Sequence, residues 1–395
     1  MEYRRFGRTE LSMPVFSCGG MRYQHKWQDQ PWEEISADNQ QSLEATIRRA
    51  FEVGINHIET ARGYGTSEMQ LGRILPRLPR EQLIVQTKVG PRSDPNQFVE
   101  LFERSMGYLN LDYVDLLGIH GINTWEQIED CVKPGGCLDR VQEWIQQGRV
   151  RHVGFSTHGP TDVIVAAINT GRFDYVNLHW YYINQSNWPA ITAAQAQDMG
   201  VFIISPSDKG GRLYNPPTKL VQLCEPLSPM VFNDLFCLSH PQVHTLSLGA
   251  ARPSDFDEHL KVLPLLDQAD SLLLPILARL EQALIDTLGE RYAKTWQEGL
   301  PTYDATPGEV NISMILRLYH LATAFDMVEF AKERYSLLGN GGQWFPGQKA
   351  HQETASTLMT ALQHSPNREQ ILQILPQADQ LLGGTEGKRL SQSAG

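Results

Sequence analysis

Four side chains with acid–base chemistry stand at the ends of apolar runs. Glu59 and Tyr64 fall within GINHIETARGYGTSE (54–68), Lys88 lies at the end of LIVQTKV (83–89), and His120 closes YVDLLGIH (113–120). A free phenol, titrating at about 10, is a weak acid at neutral pH. A nearby ammonium favours its ionised form, and a carboxylate beside that ammonium keeps it charged and oriented. An imidazole at the following strand end can donate to an oxygen on which negative charge develops. Such a set can protonate an oxyanion. Each residue also has a plainer reading: Glu59 as a helix cap beside a packing tyrosine, Lys88 as a rim charge, His120 as a satisfied core histidine. Their co-occurrence at the ends of three consecutive predicted strands favours a site over separate coincidences.

Four such positions need a scaffold that delivers strand ends to one place. Runs rich in β-formers recur as PVFSCGG (14–20), INHIET (55–60), LIVQTKV (83–89), YVDLLGIH (113–120), VRHVGFST (150–157), YVNLHW (175–180), VFIISP (201–206) and VHTLSLG (243–249). Stretches of helical period lie between them, at 39–52, 97–109, 138–147 and 161–168. Eight strands alternating with helices predict an α/β fold, a (β/α)8 TIM barrel. The leading YRRFGRTELSMP reads as a hairpin closing the barrel's bottom. In such a barrel the chemistry sits at the C-terminal strand ends, where Glu59, Lys88 and His120 fall.

A chain of 395 residues exceeds what one barrel needs, so a large domain plus an addition is expected. The formal net charge of −11, without any Lys/Arg block, argues against a nucleic-acid or anionic-membrane partner. The N-terminal MEYRRFGRTELSMP lacks an apolar signal-type stretch and later apolar runs are too short to span a bilayer, so a soluble, cytoplasmic protein is expected. Cysteines at 18, 131, 137, 224 and 237 lack a framework spacing and fit a reducing compartment. CVKPGGC alone, without clustered histidines, makes a weak case for a metal or a redox bridge.

The order strand, acid, TA-x-x-YG-x-SE, then TK, then IH, then GFSTH resembles the aldo-keto reductases, NAD(P)H-dependent barrel enzymes that reduce aldehydes and ketones. The likeness runs from Met1 to about Leu265. It implies a catalytic tetrad of Glu59, Tyr64, Lys88 and His120, in which hydride arriving at a carbonyl carbon leaves an alkoxide that Tyr64 protonates. The family has Asp where Glu59 stands. The extra methylene keeps the charge but shifts the lysine contact, and lower turnover is expected because such sites tolerate misplacement badly.

The resemblance also implies a cofactor site. Gly20 and Met21 line it after the first strand. Ser156, with Thr157 in place of the usual Asn, and Asn177, in place of Gln, hold the nicotinamide carboxamide, and Trp180 stacks on its ring. In SPSDKGGRLYNP (205–216), Ser205, Pro206, Gly210 and Gly211 wrap the pyrophosphate while Lys209 and Arg212 offer charge. In SLGAARPSDFDEHL (247–260), Gly249 and Arg252 grip the ribose phosphate, and Glu258 and His259 hold the adenine. Asp255 falls where NADPH-preferring members often carry Arg, and Arg252 compensates. NADP is therefore the expected cofactor, NADPH over NADH, with no metal. Met21, Tyr23, Trp27, His179 and Tyr181 suggest an aromatic rim for a small, apolar carbonyl substrate.

From about Asp267 the strand rhythm gives way to helical period in SLLLPILARLEQALIDTLGERY, ISMILRLYHLATAFDMVEFAKERYSLL and REQILQILPQADQLL. With GGCLDRVQEWIQQGRVRHVGFSTH, this resembles a reductase subgroup whose C-terminal extension is ferredoxin-like and carries iron–sulfur clusters. The flanking GLPTYDATPGEVNI and LGNGGQWFPGQKA contain no cysteine, so a cluster has no thiolate ligands there. The expected layout is a barrel over 1–265, a degenerate, metal-free helical extension over 266–383 and a flexible tail over 384–395. The oligomeric state is not legible. A rival expectation is a slow NADP(H)-binding sensor or scaffold, suggested by Glu59 and the stripped extension. An unrelated barrel lyase is disfavoured by the cofactor-like segments.

Overall fold

The computed structural model describes residues 1–350 and 357–384. Eight parallel strands close a barrel in chain order: β1 (Phe16–Gly19), β2 (His57–Glu59), β3 (Ile84–Val89), β4 (Val114–His120), β5 (Val150–Ser156), β6 (Tyr175–Leu178), β7 (Gly200–Ile203) and β8 (Thr245–Leu248), with β8 returning to β1. The helices Ala37–Glu52, Pro95–Leu109, Cys137–Gln146 and Thr161–Asn169 stand where the helical period predicts them. Ser36 starts the first by accepting from Asn39 N, and Asp94 followed by Pro95 starts the second. Parallel strands flanked by helices are buried on both faces, and all six residues of β3 are buried.

The leading hairpin pairs Tyr3–Arg5 with Ser12–Pro14. Its Phe6 and Met13 pack with Ile84, Leu116, Tyr175 and Phe202, filling the N-terminal end of the barrel with apolar side chains. Gly200 opens β7 there because a Cβ would stand 2.6 Å from the Phe6 ring.

The chain divides into two compact units, Met1–Gly210 with Asn233–Asp267, and Gly211–Phe232 with Gln268–Gly395. The first is the barrel. The second is helical, with Thr218–Cys224, Ala269–Leu288, Glu290–Thr295, Ile312–Phe325, Val328–Tyr335 and Arg368–Leu382 among its helices. Arg279 donates to the carbonyls of Leu223 and Glu225, tying Thr218–Cys224 to the helix Ala269–Leu288. Leu273, Ile276, Leu280, Ile315, Leu316 and Leu375 are buried in this unit. Asp326, at φ 60°, ends one of the long apolar helices and lets the chain turn into the next. Of the tail expected over 384–395, residues 385–395 lie outside the described residues. Among the described residues no helix is long and apolar enough to cross a membrane.

Candidate active site

Side chains alternate along each strand, so residues two apart share a face. The inward face of β2 carries His57 and then Glu59, that of β3 carries Gln86 and then Lys88, and that of β8 carries Thr245 and then Ser247. They build two polar layers inside the barrel. In the lower one, His57 Nδ1 lies 2.6 Å from Ser17 Oγ, its Nε2 lies 3.1 Å from Gln86 Oε1, and Ser17 meets Thr245 at 2.7 Å. Burial pushes His57 down to about 3, so this layer is neutral. In the upper layer Lys88 forms an ion pair with Glu59 and donates to Thr60 O at 2.8 Å, while Ser247 donates to Glu59 Oε2 at 3.4 Å. The Lys88 and Glu59 side chains are 2% and 4% exposed, so their mutual attraction is only weakly screened.

Tyr64 completes the group. Lys88 Nζ lies 4.8 Å from the centroid of its ring, and the His120 ring meets it edge-on at 5.6 Å. Burial pushes the Tyr64 phenol above its ordinary value, so it keeps its proton, and burial pushes Lys88 well down, against which the Glu59 carboxylate acts. The loop bearing Tyr64 is anchored on both sides. Arg62 pairs with buried Glu68 at 2.5 Å, Thr87 donates to Glu68 at 2.5 Å, and Arg62 N donates to Lys88 O at 2.8 Å. Gly65 has φ 54°, and a Cβ would stand 2.0 Å from Lys26 O. Gly118 makes room beside the lysine, since a Cβ there would stand 2.8 Å from Lys88 Cγ.

Ser156 and Asn177 extend the upper rim in register with His120. Gly121 N donates to Ser156 Oγ at 3.2 Å. Asn177 is fully buried, and neither its amide nitrogen nor its oxygen has a partner among the described residues. An inward amide with both ends unsatisfied fits a carboxamide-bearing ligand. Thr157 instead turns into the loop after β4, donating to Ile122 O at 2.7 Å.

Trp180 departs from its expected role. β6 ends at Leu178, and Trp180 lies on the outward parity, 1% exposed, stacked on Phe236 at 5.1 Å and flanked by Trp188 and His240. No face of its ring is open to a cofactor. The inward neighbour is His179, whose Nε2 lies 3.2 Å from His158 Nδ1, and Lys209 Nζ lies 3.2 Å and 3.3 Å from the two imidazoles. His158 ends the GFSTH motif but has no role expected from the sequence.

The phosphate-end candidates are spread. Gly20 is pressed on Glu59 O, with Met21 half-buried beside it. Ser205 O accepts from Lys209 N, and Gly210 is packed so closely on Pro206 O that no Cβ fits. Gly211 and Arg212 belong to the second unit, where Arg212 pairs with Glu333 at 3.0 Å. Gly249 lies against the Arg22 side chain, which pairs with Asp208 at 3.1 Å. Arg252 is exposed and donates to Asp255 at 2.9 Å, and Glu258 accepts from Lys261 at 2.6 Å. His259 points inward, 4% exposed, bonded to buried Asp234.

Residues 16–212 match the sequence model of the Aldo/keto reductase family. L-glyceraldehyde 3-phosphate reductase of Escherichia coli is 25% identical over 177 residues, 40% of this chain and 46% of that protein. L-galactose dehydrogenase of Arabidopsis thaliana is 31% identical over 180 residues, 42% of this chain and 55% of that one. The chain thus spans about half the length of these curated relatives. Among solved structures, an aldo-keto reductase from Klebsiella pneumoniae in complex with NADPH has a TM-score of 0.54 at 16% identity, over 69% of this chain and 95% of that one. The holo form of an aldo-keto reductase from Bacillus halodurans has a TM-score of 0.54 at 19% identity, over 70% and 91%. At these identities the likeness shows the fold.

Proposed function

Because residues 16–212 belong to the aldo/keto reductase family, we propose that this chain is an NAD(P)H-dependent reductase converting aldehydes or ketones to alcohols, with Tyr64 as proton donor. One observation carries the reading: the Tyr64 ring stands over Lys88 and edge-on to His120, with Glu59 paired to Lys88 beneath. Bound NAD(P)H supplies the hydride. The carbonyl oxygen sits between Tyr64 and His120, which hold it and share the negative charge that develops there. Tyr64 then gives up its proton. Burial alone makes the phenol a poorer acid, so the positive charge of Lys88 has to draw the phenol's acidity back toward the working pH. Glu59 keeps Lys88 protonated in a site whose burial opposes that charge.

Asn177 and Ser156 hold the carboxamide, and the Ser205–Gly210 turn and Gly249 take the phosphates. Arg252 is the candidate grip for a 2′-phosphate, which favours NADPH. Its bond to Asp255 has to be exchanged for that contact, which narrows the preference. L-glyceraldehyde 3-phosphate, for which the Escherichia coli relative is named, is a first substrate to try beside simple aromatic aldehydes. The helical unit is read as a degenerate ferredoxin-like extension, supported by its helical pattern and by the lack of any cysteine after Cys237.

The test is cofactor oxidation with a panel of aldehydes and both dinucleotides. Turnover with NADPH should exceed that with NADH, and Arg252→Ala should narrow the gap. Equal losses with both dinucleotides would remove the 2′-phosphate role. No turnover with any carbonyl, alongside retained dinucleotide binding, would favour the sensor reading.

A further inference from the structure

We propose that Ser207, His259 and Asp234 form a second, hydrolytic site, in which Ser207 accepts acyl groups from small activated carboxylic esters. Asp234 is fully buried and accepts from His259 Nδ1. With Nδ1 engaged as donor, Nε2 carries the lone pair, and it faces Ser207 Oγ at 3.4 Å. That is the order nucleophile, base and orienting carboxylate required of an activated serine, at a spacing usual for such a group without substrate. The other oxygen of Asp234, Oδ1, is buried with no partner among the described residues, so the imidazole is the carboxylate's one side-chain partner there.

The arrangement is braced from several sides. The Phe16 ring meets His259 at 5.9 Å and 61°. Asn233, the neighbour of Asp234, donates to Pro206 O at 3.4 Å and accepts from Tyr182 N at 3.3 Å. Two consecutive residues thus hold both the turn that carries the nucleophile and the ring that serves it. Ser207 itself is half-exposed while His259 and Asp234 are buried, as a site needs when its nucleophile meets solvent-borne substrate and its base stays oriented.

In the reaction, Ser207 Oγ bonds to the ester's carbonyl carbon while its proton passes to His259 Nε2. The bond between that carbon and the aryloxy oxygen then breaks, and the departing aryloxide takes the proton back from His259. Water then attacks the Ser207 ester with His259 again as base, releasing the carboxylic acid and restoring the serine. None of the three residues belongs to the Glu59, Tyr64, Lys88 and His120 group, but Ser207 lies in the turn proposed to take the dinucleotide phosphates and His259 in the stretch expected to hold its adenine, so the labelling is run on the chain free of dinucleotide.

The experiment incubates the full chain with a fluorophosphonate, maps the adduct by mass spectrometry, and follows p-nitrophenyl acetate hydrolysis in parallel. One adduct should form, on Ser207, and Ser207→Ala should abolish both it and the enzymatic part of the hydrolysis. His259→Gln should slow labelling by about 10²-fold or more. Asp234→Asn should alter the pH profile of labelling, which a purely structural carboxylate would leave unchanged. No adduct on Ser207, or labelling at an unchanged rate in His259→Gln, overturns the proposal. If the His259 and Asp234 variants do not fold, the native chain decides. A labelling rate that rises through an imidazole titration and then levels supports the site, and a rate proportional to hydroxide throughout overturns it.

Discussion

The interiors of the two units are built on different terms. The barrel holds two stacked polar layers ending in a buried ion pair, whereas the helical unit buries mainly Leu, Ile, Phe and Ala around His320. Both interiors contain a histidine that burial pushes down to about 3. His57 has hydrogen-bond partners at both ring nitrogens, while His320 meets Tyr292 Oη at 3.1 Å and lies among the Tyr292 and Trp296 rings. Burial of a titratable group therefore does not by itself separate packing from chemistry. Glu59–Lys88 does separate them, because a buried ion pair stabilises no better than apolar residues of the same volume and needs another reason to be there.

The largest effect that can test this contrast comes from Lys88→Met. It leaves Glu59 buried without a counter-charge, and denaturant unfolding should show about 3–5 kcal/mol lost. Reductase activity in the remaining folded protein should fall by at least about 10³-fold. Unchanged stability would mean that water or rearrangement already solvates the pair. Leu316→Ala should cost a comparable or smaller amount, about 2–5 kcal/mol, and leave kcat within about twofold. A kcat that falls with it would erase the distinction between the two interiors. The smallest effect, taken per pH unit, is that of acid. His57 and His320 have folded values near 3 against an ordinary 6.5, so the unfolded chain takes up these protons first. Their contribution is complete above 6.5 and is lost as pH falls toward 3, at about 1.4 kcal/mol per pH unit for each. His320→Gln should reduce the slope of unfolding midpoint against pH over that window. An unaltered slope would place the linkage elsewhere.

The barrel and the meeting of Glu59, Lys88 and His120 were legible because strand ends and period-two runs are local signals. The same period limits what one strand can offer. Asn177 and Trp180 are three residues apart, and Ser156 and Thr157 are adjacent, so neither pair can face the barrel interior together. The outward packing of Trp180 and the loop contact of Thr157 follow from that parity. It also points to His57, two residues before Glu59, as an inward residue. The spacing of Arg252 to Asp255 and of Glu258 to Lys261 is likewise visible in sequence as charge pairs three apart, which turns these side chains toward each other. Asp234 and His259, 25 residues apart, carry no local pattern, since only the closing of the barrel brings them together. His158, His179 and Lys209 stand in separate stretches of the sequence, and their meeting was not legible because they come from loops after three different strands.

The central claim is that Tyr64 protonates the product of hydride transfer. Single-turnover oxidation of bound NADPH by a reactive aromatic aldehyde, followed by stopped-flow in the native chain and in Tyr64→Phe, tests it most directly. Rapid loss of reduced-nicotinamide absorbance is expected in the native chain. The variant should be slower by at least about 10²-fold, with its NADPH dissociation constant within about twofold of the native value, because the hydroxyl acts in the transition state rather than in binding. Equal rates in the two proteins would contradict the assignment.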